Sequence, residues 1–363
     1  MGKYDKDRYQ KELAIRYCLA RGFVPFMEVV VNNISDLSDS VEVITDIDVL
    51  GITSPADGAL SRTIFDCKSN NKLSAINRAF WCAGLRDYTN CNDAFVILKN
   101  RAVYNHRISA LNINVDLHDE NSFIDLGKTF DPAFPKSNSY QSSVDRWNEV
   151  YEIYNQLRWS IPLFEISRNI APLTKAPWSV FRRILAELRA ARGEFDPSKN
   201  KHMALYLDVL CSVFVLWATI GRDLRRFYDP AMNKAAFEKS FKYYIWGGRD
   251  SYNIRQQIRD RAVEDAGASI EFPAWNDLLS LASILLGSPQ SILGCAVMCR
   301  ELSIRFACGA DSDLDQSLIS NFRNDNRLLQ FIVGMADYGA KAAGLPRDMA
   351  LKVQEAIAIK SSK

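Results

Sequence analysis

The sequence predicts an α/β domain followed by a mostly α-helical one. Three observations predict it. The first 130 residues alternate helical and strand patterns. A polar stretch with two prolines, GKTFDPAFPKSNSYQSS at 127–143, then interrupts the chain. Beyond it, apolar residues recur at helical spacing almost to the end. The expected division is an α/β domain at 1–130, a linker at 131–143 and a helical domain at 144–363. No fixed-period repeat is present, so a solenoid is not supported.

The elements follow in order. Residues 6–21 read as an amphipathic helix stopped by Gly22. Residues 23–32, rich in Val and Phe, read as a strand. A polar turn at 33–39 leads to a long alternating strand at 40–53. SPADG at 54–58 is a turn, and residues 60–68 are a third strand. Apolar positions Ile76, Ala79, Phe80, Ala83 and Leu85 mark a helix at 74–88. AFVIL at 94–98 is a short buried strand, residues 103–111 a helix and 113–117 a last strand. Helices are then expected at 145–158, 178–192, 201–227, 233–244, 251–266, 275–286, 291–308, 314–338 and 347–359.

Composition excludes several classes. With 363 residues, 48% hydrophobic and 24% charged, the chain is neither disordered nor fibrous. A net charge of +2 announces no global affinity for nucleic acid. His106, His118 and His202 stand far apart, which leaves a histidine-rich zinc site and a Ser-His-Asp triad without material. Eight cysteines include no Cys-x-x-Cys and read as reduced thiols packed as small hydrophobes. The charged N-terminal segment lacks an apolar signal core, and Lys6 breaks the myristoylation pattern after Gly2. The expected location is cytoplasmic. Residues 203–221 are nearly long enough to span a bilayer. A buried central helix explains them, and a tight helical hairpin explains the apolar pair at 278–299, broken at Gly287-Ser288-Pro289. No membrane partner is expected, and a membrane-associated protein is the least favoured reading.

The chemistry sits on two adjacent predicted strands. Asp46 and Asp48 in Val43–Gly51 share a face by the two-residue period of a strand. Asp66 and Lys68 in Ile64–Lys68 share a face in the same way, with Cys67 on the other. A hairpin through the 54–58 turn brings Asp48, Asp66 and Lys68 together. Carboxylates on strands flanked by Val, Ile, Leu and Phe cost several kcal/mol each to desolvate unless a cation compensates. Hard oxygen ligands of this kind suit Mg²⁺ or Mn²⁺. Lys68 beside the metal would orient or help deprotonate a water for attack on a phosphodiester. The plain alternative is a salt bridge on a solvated sheet face.

The order of these features, a helix carrying Glu12, a strand, an Asp-bearing strand, then apolar-apolar-Asp-x-Lys, resembles the PD-(D/E)xK, or restriction-endonuclease-like, nuclease superfamily over about residues 1–125. Ile47-Asp48 stands where the family has Pro-Asp, and Asp66-Cys67-Lys68 is the second half-motif. The run Asp48-Val49-Leu50-Gly51 resembles Mrr-like members, while the Gln-x-x-x-Tyr of RecB-like members is missing. The resemblance implies an αβββαβ core with a mixed central sheet and Mg²⁺-dependent phosphodiester cleavage. It implies metal ligation by Asp48, Asp66 and the Cys67 backbone carbonyl, with Lys68 as the catalytic lysine. Glu12 fits the acid that many members carry on the first helix. Glu28 is the rival for that role, and Asp46 an outer candidate. Lys72 and Arg78 go with the next helix, which the fold sets beside the active site, so that one of them contacts a phosphate or both lie on a solvated helix face.

In the helical domain, Arg255 and Arg259 share a helix face among tyrosines and Trp246, which reads either as an ordinary solvated face or as a nucleic-acid-contacting patch. The expectation is a metal-dependent nuclease, endonuclease or exonuclease, that hydrolyses phosphodiester bonds, with DNA favoured over RNA and defence against foreign DNA as a plausible setting that no residue establishes. The helical domain would position substrate, form a homodimer or meet a protein partner. The alternative is a catalytically silent nucleic-acid-binding or scaffold protein on the same fold.

Overall fold

The computed structural model of the chain describes residues 6–33, 39–54, 59–69, 73–229, 231–262, 270–310, 325 and 327–361. Five strands build one mixed sheet in the order β1-β2-β3-β4-β5: β1 Val24–Asn32, β2 Val43–Thr53, β3 Ser61–Lys68, β4 Asp93–Leu98 and β5 Asp116–Asp119. The first three are antiparallel to one another, and β3, β4 and β5 are parallel. The parallel pairs need crossovers, which α2 (Ala75–Thr89) and α3 (Tyr104–Leu111) supply. α1 (Arg8–Ala20) packs on β1, β2 and β3 beside α4 (Glu120–Lys128). Tyr17 of α1 meets Phe65, Phe95 and Phe123 edge-on or tilted. A Cβ on Gly51 would lie 2.9 Å from Cys18 Sγ, so glycine at this point lets α1 settle onto β2.

The remaining described elements are helical. They are α5 Val144–Gln156, α6 Ile161–Phe164, α7 Pro177–Ala190, α8 Asn200–Phe227, α9 Lys234–Ile245, α10 Arg249–Ala262, α11 Trp275–Leu286, α12 Ser291–Ala307, α13 Arg327–Ala343 and α14 Asp348–Ser361. α8 is their centre, packed by α12, α7, α5 and α11. It is long and apolar enough to cross a membrane, and its most apolar window is 89% buried inside the protein. α11 and α12 meet at a bend of 112°.

The stretch expected as a linker is packed. Phe134 is buried where α4 offers Gly127, whose Cβ would overlap the ring. Buried Glu301 of α12 accepts from Ser139 Oγ at 2.6 Å and from the Tyr140 N–H at 3.0 Å. Sheet and helices share one continuous core. A π-helical turn at Glu165–Ile170 aims two neighbours in different directions. Asn169 Oδ1 accepts the Val30 N–H at 3.1 Å, and Arg168 enters the helical core to grip Asp208. Tyr151 Oη donates to the Met27 carbonyl at 2.7 Å. The edge strand β1 is thus held by side chains from the helical part on both sides of Glu28.

The expected strand at 113–117 lies instead at Asp116–Asp119 and runs straight into α4. Asp119 causes the switch, accepting the N–H groups of Asn121 and Ser122 at 3.0 and 3.1 Å in a capping box. The helix expected from 314 is described from Arg327, and residues 311–324 lie outside the described residues, as do most of the turns at 33–39 and 54–58.

Candidate active site

Three carboxylates line up across three strands. Met27 pairs with Val49 and Val29 with Ile47, which sets Glu28 opposite Asp48. Val49 pairs with Phe65, and one further step sets Asp48 opposite Asp66. Directly opposed residues of antiparallel strands share a face. Asp48 Oδ2 accepts the Cys67 N–H at 2.8 Å and Lys68 Nζ at 2.7 Å. Lys68 Nζ also stands 3.3 Å from Asp66 Oδ1. The structure therefore gathers Asp48, Asp66 and Lys68. Cys67 contributes its backbone N–H here, and its thiol is buried in the core.

The grouping of carboxylate oxygens within 4.8 Å of one another is Glu28, Asp46 and Asp48, a set able to hold a metal ion. Asp46, expected as an outer candidate, belongs to it. Asp66 lies beside this group with Oδ1 facing Lys68 and, at 3.8 Å, Arg78. Its Oδ2 is buried without a hydrogen-bond partner. Arg78 is thus an ion-pair partner of Asp66. Lys72 lies outside the described residues.

Glu12 is placed elsewhere. Its carboxylate takes Arg8 at 3.3 Å, Arg16 at 3.0 Å and the Val144 N–H at 3.2 Å, so it anchors the start of α5. Successive helix residues differ by about 100°, and it is Lys11, one position earlier, that faces the site. Lys11 Nζ pairs with Glu28 and stands 3.8 Å from Asp48 Oδ1. Glu28 takes φ of 56° inside β1, a left-handed conformation that costs a non-glycine residue on the order of 1–3 kcal/mol. Met27 before it and Val30 two residues after it are held by Tyr151 and Asn169, which restrains the backbone around Glu28.

Asp7 is a further member that sequence reasoning missed. It too takes a left-handed conformation, at the start of α1, and its carboxylate leaves the helix N–H groups uncapped. It accepts instead from the Ser69 N–H at 2.6 Å and lies 3.9 Å from Lys68 Nζ. Arg255 and Arg259 lie on α10, a helix with no buried residue, and Arg255 sits 5.7 Å from the Trp246 ring centroid.

The electrostatics follow from this inventory. Asp7, Glu28, Asp46, Asp48 and Asp66 face Lys11, Lys68 and Arg78. Among the described residues, five acids against three bases leave two formal negative charges. Burial pushes Glu28 up to about 7 and Asp66 up to about 6. Burial opposes the charge on Lys68, yet Asp48 and Asp66 outweigh it and hold the ammonium above its ordinary pKa. Lys11 is raised against the same opposition by Glu28 and Asp48. A divalent cation fits the donor set: hard oxygens, a formal excess of acids among the described residues and a buried oxygen with no hydrogen-bond partner.

A pH dependence follows. Because Glu28 and Asp66 have folded pKa values above their ordinary ones, these two groups bind more protons in the metal-free folded protein than in the unfolded chain. Their contribution is most favourable at low pH and declines as pH rises, the loss being complete above about pH 7. A bound cation offsets that loss. The rise in melting temperature on adding Mg²⁺ is therefore expected to be larger at about pH 8 than at about pH 5.5. A rise of equal size at both values would remove the coupling between these carboxyls and the cation.

No protein-family model, curated protein or solved structure matches the chain.

Proposed function

We propose that the chain is a metal-dependent nuclease with a restriction-endonuclease-like core. The observation that carries this reading is Asp66, which keeps one oxygen buried and unpartnered beside Lys68 in a cluster where, among the described residues, acids outnumber bases. The element order α1-β1-β2-β3-α2-β4 is the αβββαβ arrangement the resemblance implies, with Asp48 on β2 and Asp66-Cys67-Lys68 on β3, and supports the same reading. Asp48, Glu28 and Asp46 would hold Mg²⁺ or Mn²⁺, with Asp66 completing the set through its open oxygen. The cation supplies Lewis-acid polarisation of a phosphoryl oxygen and acidifies water.

The chain's own groups do the rest. Lys68 is kept protonated by Asp48 and Asp66, so it orients a polar ligand and stabilises negative charge developing on phosphoryl oxygens. The Cys67 N–H and Lys68 share Asp48 Oδ2, which fixes that carboxylate's rotation. Asp7 ties Ser69 to the start of α1 and holds the end of β3 in register with Lys68. DNA is favoured as substrate by resemblance, with action in the cytoplasm.

The test is incubation of the purified chain with linear, nicked and single-stranded DNA and with RNA, in Mg²⁺, Mn²⁺ or EDTA. Cleavage that requires the cation is expected. Absence of cation-dependent cleavage on every substrate rejects the reading.

The two candidate acids separate in a metal titration. Glu28→Gln is expected to weaken Mg²⁺ binding by about tenfold or more. Glu12→Gln is expected to leave it within about twofold and to lower stability by up to about 1 kcal/mol, through loss of the ion pairs with Arg8 and Arg16. Calorimetric titration of both variants reads the difference, and the opposite ranking would return Glu12 to the site.

A further inference from the structure

The segment leaving β4 lies beside the proposed nuclease site and has no assigned role. Lys68 pairs with Leu98 in the parallel register of β3 and β4, and the Lys99 N–H donates to the Lys68 carbonyl at 3.0 Å. Lys99 and Arg101 therefore leave the sheet at the end where Lys68 sits. The carboxyl ends of parallel strands are where open α/β sheets bind ligands. Both side chains are exposed, and among the described residues neither has an ion-pair partner. From Lys99 to Arg101 the chain spans at most about 7 Å. α3 begins three residues beyond Arg101 with Tyr104, which is 72% exposed. An unpaired lysine, an unpaired arginine and an uncovered aromatic ring thus stand within six residues of one another.

We infer that Lys99, Arg101 and Tyr104 form a cradle for single-stranded nucleic acid beside the carboxylate site. The inference rests on the nuclease reading and names its substrate class. The two cations take phosphates. Tyr104 offers its ring to a base, and only a base outside a duplex has a free face to stack on it. In a duplex both faces are covered by neighbouring pairs, and exposing one costs a few kcal/mol.

Binding in EDTA reads the cradle, and cleavage in Mg²⁺ reads the carboxylates, so the two readings fail separately. The probe is a fluorescein-labelled oligodeoxythymidylate, with a duplex of the same length beside it. The full-length chain is expected to bind the single strand more tightly. Tyr104→Ala is expected to weaken that binding roughly five- to 150-fold, and Tyr104→Phe, which keeps the ring, to restore it. Lys99→Ala with Arg101→Ala is expected to reduce the slope of log affinity against log salt by about 1.4, at about 0.7 per phosphate on a single strand. Duplex affinity should not respond to Tyr104→Ala. All three positions are on the surface, and circular dichroism confirms that the variants fold. The inference is overturned by single-strand affinity unchanged in Tyr104→Ala, by a salt slope unchanged in the double variant, by equal affinity for duplex, or by no binding of the single strand at all. Cation-dependent cleavage could survive each of these results, and its absence with the binding pattern intact would reject the nuclease reading alone.

Discussion

Lys68→Ala is expected to lower cation-dependent cleavage by roughly 10²- to 10³-fold, the scale of removing one preorganised charge from a site that stabilises developing negative charge. The variant has a second, opposite signature. Without Lys68, Asp48 and Asp66 lose their nearest cation while staying buried. The metal-free protein should become less stable, and added Mg²⁺ should recover more of its melting temperature than in the parent chain. Asp66→Asn separates the same effects from the other side. It removes the charge that the buried Oδ2 shares, so cleavage and Mg²⁺ binding should fall together. Steady-state cleavage and melting curves, each with and without Mg²⁺, read both variants. Full activity in either purified variant takes that residue out of the mechanism.

Asp208→Ala is expected to cost about 3–5 kcal/mol of folding stability, the largest effect of any single substitution considered. Asp208 is fully buried in α8 and accepts from Arg168 through both oxygens, from Arg300 and from Tyr154. Burial opposes its charge, yet Arg168 and Arg300 outweigh it and hold the carboxyl below its ordinary range. Removing it leaves two buried guanidinium groups with no counter-charge, and Arg300 already has two nitrogens without partners. Denaturant unfolding measures the loss. A change below about 1 kcal/mol would mean that water reaches the arginines and that the cluster is not sealed.

Most of the sheet was legible because its cues are local. Alternation in Val43–Thr53 and Ser61–Lys68 reads directly from residue type, and it is enough to set Asp46 and Asp48 on one face of their strand and Asp66 and Lys68 on one face of theirs. The choice between Glu12 and Glu28 was not legible. It depends on the β1–β2 register and on a left-handed turn of the backbone at Glu28 that no residue type announces. Lys11 and Asp7 were missed for a related reason, since a helix pattern shows which residues face a core but not which face a neighbouring cavity. α4 had a readable signal, an Asp with a Ser three residues on ahead of Phe-Ile-Asp-Leu, hidden behind a strand of four residues. The π-helical turn at Glu165–Ile170 is set by what Arg168 and Asn169 reach across the fold, so nothing within those six residues encodes it.

The grip of Tyr151 and Asn169 on β1 bears on whether this molecule can be taken apart. The α/β portion looks self-sufficient on paper, with its own sheet and its own motif. Its outermost strand, however, is completed by side chains that arrive more than 100 positions later. Severed at the 131–143 stretch, β1 would present bare amide and carbonyl groups, an invitation to pair with another chain. The same cut would free the backbone at Glu28 to relax to an ordinary extended conformation and swing its carboxylate off Asp48. The excised sheet is therefore expected to aggregate and to have lost its cation pocket. For grafting or fusion, the unit to move is the whole chain.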